Sequence, residues 1–212
     1  MRSGFTLVEL MVVIGILGLL VGILAVAVIP RLTEAKNKLE IKQVGDLMAG
    51  FNTLQSDDAK KKRLRNDKKV SDTKGAKFYE ACFKKKLLDD ALLGKIVSLN
   101  STTDSKADKA WIEEDGGTMP DMSCSYTAPK ASDLLAVMAA KGNERTIFLS
   151  FNKRNWNNYE DAGVIVQWSD GETAVYINKD EATTDMGIDG ETWTNSPEDL
   201  FGQKKPFNRT FE

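Results

Sequence analysis

Residues 10–29 form an uninterrupted run of 20 residues with no charge and no side-chain hydrogen-bonding group. At about 1.5 Å of rise per residue, a helix of this length spans roughly 30 Å, the thickness of a bilayer's hydrocarbon core. A helix on the surface of a soluble core would carry a polar face, and this run has none. The sequence therefore predicts one membrane-spanning helix near the amino terminus.

The run does not have the pattern of a cleaved secretory signal. Such a signal has a shorter apolar region, of about 7–15 residues, followed by a small-residue cleavage site. Here Pro30 and Arg31 follow the run, and an amphipathic stretch comes next. Before the run stands a lone carboxylate, Glu9, at a depth where an unpaired ionisable group is costly. Glu9 is therefore a candidate functional residue.

The residues around Glu9 carry a resemblance to a known family. Residues 4–14 read Gly-Phe-Thr-Leu-Val-Glu-Leu-Met-Val-Val-Ile, which resembles the class III signal of type IV pilins and type II secretion pseudopilins. In that family a prepilin peptidase cuts after the glycine and methylates the new amino terminus. The resemblance implies a leader of residues 1–4, cleavage between Gly4 and Phe5, N-methylation of Phe5, and an assembly role for Glu9.

The same resemblance implies a location and a set of partners. It places the chain in the bacterial inner membrane as a single-pass protein, with its head in the periplasm or on the cell surface as part of a filament. The implied partners are other pilin-like subunits in a homopolymer, the prepilin peptidase and an inner-membrane assembly platform. No nucleic-acid partner is expected.

The role of Glu9 also has a physical basis. Bundled apolar helices create a lipid-like interior in which an unpaired carboxylate is unfavourable. The positive amino terminus of a neighbouring subunit at Phe5 would neutralise Glu9 only if the two helices lie in one register. The alternative is that Glu9 lies at the lipid headgroups and stays hydrated.

After residue 30 the pattern becomes that of an amphipathic helix. Apolar residues recur at three- and four-residue spacing from Leu32 to Leu54, and charged residues, Glu40 among them, stand between them. We expect an α+β, pilin-like fold. It consists of a membrane-spanning helix at 5–30, its amphipathic continuation at 31–56, and a small head at 57–212 with an antiparallel sheet packed on the helix.

The head contains short β patterns. Residues 163–168 and 172–177 flank the turn sequence Ser-Asp-Gly and predict a hairpin, and residues 146–151 predict a third strand. Helices are expected at 77–93 and 132–140, and loops over most of 100–129 and 178–212.

Charge is distributed unevenly along the chain. Residues 60–69 contain seven basic residues and one acid, whereas residues 157–212 contain 12 acids and four bases. Opposite charge on two parts of one subunit suits contacts between neighbouring subunits of a filament. The alternative for the basic stretch is a solvated loop or helix end, since no aromatic residues are interleaved for base stacking.

Composition excludes many kinds of enzyme. The chain has no histidine, which removes Ser-His-Asp and Cys-His catalysis and histidine-ligated zinc. Two cysteines are too few for a thiolate zinc site or an iron–sulfur cluster within one chain. No phosphate-binding glycine loop or serine elbow is present. We expect a structural subunit rather than an enzyme, and a membrane-tethered binding module is the less favoured alternative.

Two further sites are predicted in the head. Cys82 and Cys124 would face an oxidising compartment, which predicts a disulfide, with two reduced core cysteines as the alternative. Major pseudopilins hold calcium in a loop near the carboxyl end, and the resemblance implies such a site at Asp185, Asp189 and Glu191. The EF-hand spacing is absent, and a solvated acidic loop is the alternative.

The resemblance covers two kinds of filament. The candidate calcium loop favours a pseudopilus of the type II secretion system, in which the subunit acts in protein secretion. The alternative is a type IV pilus pilin that serves adhesion, motility or DNA uptake. Many pilins have a disulfide near the carboxyl end, and Cys124 lies far from that end.

Overall fold

The computed structural model describes residues 6–105, 109–113, 117–129, 131, 134–139, 146–152, 155–156 and 163–195. At Asp121, Asp185, Thr194 and Asn195 it describes the backbone only. The chain divides into two compact units, with the boundary between Leu39 and Glu40.

Helix α1 spans Leu7–Ser56 and is continuous through Pro30. Its buried residues all lie in the second unit, at or after Glu40. They are Glu40, Gln43, Val44, Leu47, Met48, Phe51 and Leu54. The long amino-terminal helix predicted from the sequence is confirmed. The predicted apolar stripe is buried only from residue 44 onward, because Leu32 and Ala35 are exposed.

Short capped helices follow α1. The Asp57 side chain accepts hydrogen bonds from the backbone of Ala59 and Lys60 and begins α2 (Asp58–Asn66). Asp67 accepts from the Lys69 backbone and begins α3 (Lys68–Ser71). The other described helices are α4 (Gly75–Lys84), α5 (Ala110–Glu113), α6 (Leu134–Ala139), α7 (Lys179–Met186), α8 (Gly190–Asn195) and two 3₁₀ turns, Asp90–Lys95 and Asp121–Ser123.

The strands form one antiparallel sheet in the order β1-β2-β3-β4. They are β1 (Tyr126–Thr127), β2 (Ile147–Phe151), β3 (Val164–Trp168) and β4 (Val175–Ile177). The hairpin of β3 and β4 and the strand β2 were predicted, whereas the two-residue strand β1 was not. Gly163 has a φ of 78°, and a Cβ there would lie 2.3 Å from the Ile177 carbonyl oxygen, so this position requires glycine.

The core of the second unit is built on aromatic rings. The ring of Phe51 on α1 lies 6.1 Å from that of Phe78, 6.4 Å from that of Tyr79 and 5.1 Å from that of Phe148, measured between centroids. These three partners lie on α4 and β2, so one α1 side chain joins a helix and the central part of the sheet. Such contacts are worth about 0.5–1.5 kcal/mol each beyond the apolar area that they bury.

The predicted α+β class is confirmed, and the main error lies near the carboxyl end. Residues 179–195 were predicted as loop, yet they contain α7 and α8. Asn178 and Glu181 form a capping box at the start of α7, and Gly187 ends it in the left-handed conformation. The predicted helix at 132–140 is observed as Leu134–Ala139, and residues 132, 133 and 140 lie outside the described residues.

Candidate functional site

The apolar part of helix α1 is exposed along its whole length in the isolated chain. From Leu7 to Ile29, every large apolar side chain is between 45% and 78% exposed. Within the described part of the chain, α1 is the one helix long and apolar enough to cross a membrane. Soluble proteins rarely leave so large an apolar surface in water. This segment therefore needs lipid or other apolar helices around it.

Glu9 closes a hydrogen-bonded ring with Thr6 at the start of α1. Its Oε2 accepts from the Thr6 backbone nitrogen at 2.9 Å and from the Thr6 hydroxyl at 2.8 Å. The Glu9 backbone nitrogen donates to the same hydroxyl at 3.3 Å. This is a capping box, which satisfies backbone donors that have no partner within the helix.

The capping box is a role for Glu9 that the sequence analysis missed. The spacing Thr-x-x-Glu before an apolar run was the signal for it. Both residues lie on the carboxyl side of the expected cleavage site, so the ring would remain after processing. Glu9 makes no ion pair with any described residue. Its carboxylate is thus held at the helix start without a counter-charge from any described residue. Gly4 and Phe5 lie outside the described residues.

A second glutamate on the same helix lies in the opposite environment. Glu40 is fully buried, and its carboxylate accepts hydrogen bonds from three side chains. The Tyr126 hydroxyl donates to Oε1 at 2.5 Å, and the Tyr176 hydroxyl and the Asn100 amide donate to Oε2 at 2.6 Å and 2.7 Å. We call Glu40, Tyr126, Tyr176 and Asn100 the Glu40 anchor. Charge-assisted hydrogen bonds of this kind offset the cost of burying a carboxylate.

The Glu40 anchor joins α1 to both edges of the sheet. Tyr126 lies on β1 and Tyr176 on β4, the two outermost strands. The ring of Phe151 stands between the two tyrosine rings, 5.7 Å from one and 6.4 Å from the other. Burial, the charge of Glu40 and the hydrogen bond to it raise the pKa of Tyr126 well above its ordinary value. Tyr126 therefore remains a hydrogen-bond donor at neutral pH.

Sequence reasoning placed Glu40 among the solvent-facing charges, and the structure corrects this. The signal was its position four residues before Val44 and seven before Leu47, which puts all three on one helical face. Charge was read as a sign of exposure. The partners that make burial tolerable lie at residues 100, 126 and 176, too far along the chain for any local pattern to reveal them.

The predicted disulfide is not formed in the structure, where Cys82 and Cys124 are both buried free cysteines. Cys82 lies on α4 in the hydrophobic core, and burial raises the pKa of its thiol. The Cys124 thiol donates to the backbone carbonyl of Tyr126 at 2.8 Å. Both thiols thus act as core groups, which was the alternative considered from the sequence.

The predicted calcium residues lie in the α7–α8 segment: Asp185 is on α7, Asp189 directly precedes α8, and Glu191 is on α8. Asp189 accepts from the Thr192 backbone at 2.9 Å and from its hydroxyl at 3.1 Å, and these bonds hold the pKa of Asp189 below its usual value. Its carboxylate therefore caps α8, with Glu191 in the first turn. Among described residues, no group of three potential ligands could hold a metal ion. The side chain of Asp185 lies outside that description, so the calcium site remains a prediction.

A cavity of about 310 Å³ opens beside the start of α4. Asn152 and Thr127 line it, and both are buried. The Asn152 amide donates to the Cys124 carbonyl at 2.7 Å, and the Thr127 hydroxyl lies 3.3 Å from that of Ser150. These buried polar groups bond to the protein itself, whereas the exposed charged residues Asp72, Lys74 and Lys77 also line the cavity.

Comparison with known proteins gives one match. Residues 1–25 match the family described as Prokaryotic N-terminal methylation motif. No curated protein and no solved structure matches the chain significantly. The matched segment covers 25 of the 212 residues, and it includes the Thr6–Glu9 capping box.

The methylation motif is the signature of type IV pilins and pseudopilins, and it supports a type IV pilin-like protein. The long amino-terminal helix and the small head with an antiparallel sheet are consistent with that fold. The motif implies processing by prepilin peptidase and assembly into a polymer, and the exposed apolar helix fits membrane anchoring.

Proposed function

We propose that the chain is a structural subunit of a type II secretion pseudopilus. In this proposal prepilin peptidase cleaves between Gly4 and Phe5 and methylates Phe5, and the subunit then polymerises through residues 5–30. The observation that carries the proposal is an exposed apolar helix that begins inside a methylation motif. A simple membrane tether needs neither a processed amino terminus nor a carboxylate at the start of its apolar segment.

The proposed assembly step uses Glu9. When the apolar helices of neighbouring subunits bundle together, the charged carboxylate leaves water and its burial becomes unfavourable. The amino group of Phe5 on a neighbouring subunit supplies the missing positive charge. Since the pair forms in only one axial stagger, it selects the register of the filament as well as stabilising the contact.

The test of this step separates charge from helix capping. Glu9→Ala removes both, whereas Glu9→Gln removes the charge and retains a capping-box residue. Thr6→Ala removes the cap and retains the charge. We expect both Glu9 variants to leave a processed, membrane-held monomer with few or no filaments, and Thr6→Ala to assemble more than either. Filaments are sheared from cells and quantified against the membrane fraction.

Two outcomes would contradict the assignment of Glu9. Normal filament yield from Glu9→Ala would show that register is set elsewhere. Normal yield from Glu9→Gln with loss in Thr6→Ala would show that Glu9 acts only as a helix cap. As a control for processing, Gly4 is replaced by a bulky residue. This replacement should keep residues 1–4 attached, which amino-terminal mass spectrometry detects.

The choice between a pseudopilus and a surface pilus needs a separate experiment. The predicted calcium site at Asp185, Asp189 and Glu191 supports the pseudopilus. Deletion of the gene should therefore remove proteins from the culture medium and leave surface fibres intact. Loss of surface fibres with normal secretion would instead assign the subunit to a type IV pilus.

A further inference from the structure

Helices α2 and α3 present a cluster of exposed cations, which we call the basic surface: Lys62, Arg65, Lys68 and Lys69. Leu64 and Val70 are fully buried and fix the two helices to the core, so these cations point outward. The acids of α2 and of the α2–α3 junction form ion pairs with other lysines: Asp58 pairs with Lys61 and Asp67 with Lys85, each at 3.0 Å. Lys62, Arg65 and Lys68 make no ion pair with any described residue.

Helices α7 and α8 present the opposite charge. Their exposed carboxylates, at Asp180, Glu181, Asp189 and Glu191, form what we call the acidic surface. Ala182 and Ile188 are buried and hold this segment to the core. Lys179 is the single cation in the sequence of residues 179–195. The acids lie in first turns or at a cap, where the helix dipole favours their charged form.

The two surfaces do not neutralise each other within the chain. Among the described residues, no ion pair joins α2 or α3 to α7 or α8. Single exposed ion pairs contribute only about 0.2–1 kcal/mol, so the surfaces would add little to the stability of the monomer. Complementary clusters act differently between molecules, because they steer association, fix register and penalise wrong contacts.

The geometry of such a contact also matters. A contact between two different surfaces of identical chains is heterologous, and repeating it produces an open helical array rather than a closed two-fold dimer. We propose that the basic surface of one subunit docks on the acidic surface of a second copy of this chain in the filament. This contact rests on the proposed function, because helix α1 must first bring the copies together.

The test uses charge reversal in the full-length chain. The triple variant Lys62→Glu/Arg65→Glu/Lys68→Glu places acid against acid, and we expect at least about a tenfold loss of sheared filaments. The double variant Asp180→Lys/Glu191→Lys leaves two acids beside two new lysines on the acidic surface. It removes the attraction and should also lower the yield of filaments, by about threefold or more. Glu181 and Asp189 are left unchanged because they cap helices. Unchanged urea unfolding and membrane content of each variant show that folding is intact.

The decisive measurement is whether filaments recover when the two sets of charge changes are combined. A chain that carries both sets of changes no longer places a strongly acidic surface against the new glutamates, so it should give at least about threefold more sheared filaments than the triple variant. Co-expression of the triple and double variants should also recover filaments in part, since the unchanged basic surface of the double variant can dock on the unchanged acidic surface of the triple variant. Neutral replacements, Lys62→Gln/Arg65→Gln/Lys68→Gln, serve as the matched control and should give an intermediate yield.

Each outcome has a distinct meaning. Normal filament yield after either reversal overturns the contact. Loss without rescue also overturns it, and it assigns the basic surface to another partner such as anionic lipid headgroups. If the original chain forms no filaments, the proposed function fails and this contact fails with it. Filaments that are lost in Glu9→Ala but unaffected by charge reversal uphold the function and refute only the docking.

Discussion

Helix α1 contains two regions with opposite relations to their surroundings. Residues 7–39 hold its most apolar stretch and are almost entirely exposed, while residues 40–56 mix polar and apolar residues and supply the buried core face. Leu20 is 50% exposed and Leu47 is 0% exposed, although both are leucines in one continuous helix. Hydrophobicity alone therefore does not decide burial. Burial requires a complementary surface, and within the described part of α1 only residues 40–56 have one.

Glu9 and Glu40, the two glutamates compared above, also differ in burial between these two regions. Glu9 lies beside the apolar run, yet it is exposed, and among the described residues its carboxylate is bonded to Thr6 alone. Glu40 lies in the more polar region, yet it is fully buried and bonded across the fold. A carboxylate with distant partners stabilises the folded head, whereas one with only local partners remains available for a second molecule.

The largest expected effect is on the free energy of unfolding, which should depend on core packing in residues 40–56 of α1 but not in residues 7–39. Leu47→Ala should lower the free energy of unfolding by about 3–5 kcal/mol, because it leaves a cavity in a close-packed core. Leu20→Ala is the matched control and should leave that free energy unchanged. Urea unfolding of the full chain in detergent, followed by tryptophan fluorescence, measures both. Equal losses in the two variants would refute the division of α1.

The next effect concerns the Glu40 anchor. Glu40→Ala should cost about 2–3 kcal/mol, because it leaves buried hydroxyl and amide donors without their acceptor. Tyr176→Phe should cost about 1 kcal/mol alone and almost nothing in the Glu40→Ala background. Additive losses in this double-mutant cycle, measured by the same unfolding assay, would show that the two side chains are not coupled. Glu9→Ala serves as the control and should leave the unfolding of the head unchanged.

The smallest expected effect concerns the reactivity of the Cys82 thiol and not the stability of the protein. Burial raises the pKa of the Cys82 thiol, and at neutral pH it stays protonated and shielded from reagents. An alkylating reagent should therefore label Cys82 only after unfolding, whereas the introduced thiol of Leu39→Cys should react in the folded chain. Mass spectrometry of labelled peptides distinguishes the sites. Failure of Cys82 and Cys124 to label even after unfolding without reductant would restore the disulfide that the structure lacks.

Much of this protein follows from local sequence. The long helix, the β3–β4 hairpin and the strand β2 were predictable because an apolar run, alternating residues and a Ser-Asp-Gly turn act over a few residues. The methylation motif was equally local, since it consists of adjacent residues at one end of the chain. Even the missed features at Thr6 and Asn178 had visible signals, because capping boxes have a fixed three-residue spacing.

Other features were decided only by tertiary structure. The burial of Glu40 depends on hydroxyl donors that lie 86 and 136 residues away, and no local pattern carries such information. Cys82 and Cys124 were predicted to pair because of their compartment, but the fold places one in the α4 core and bonds the other to a backbone carbonyl. The point at which α1 changes from exposed to buried follows the same rule. Sequence sets what each residue prefers, and the fold decides which preferences find a partner, because burial and pairing depend on surfaces brought together from distant parts of the chain.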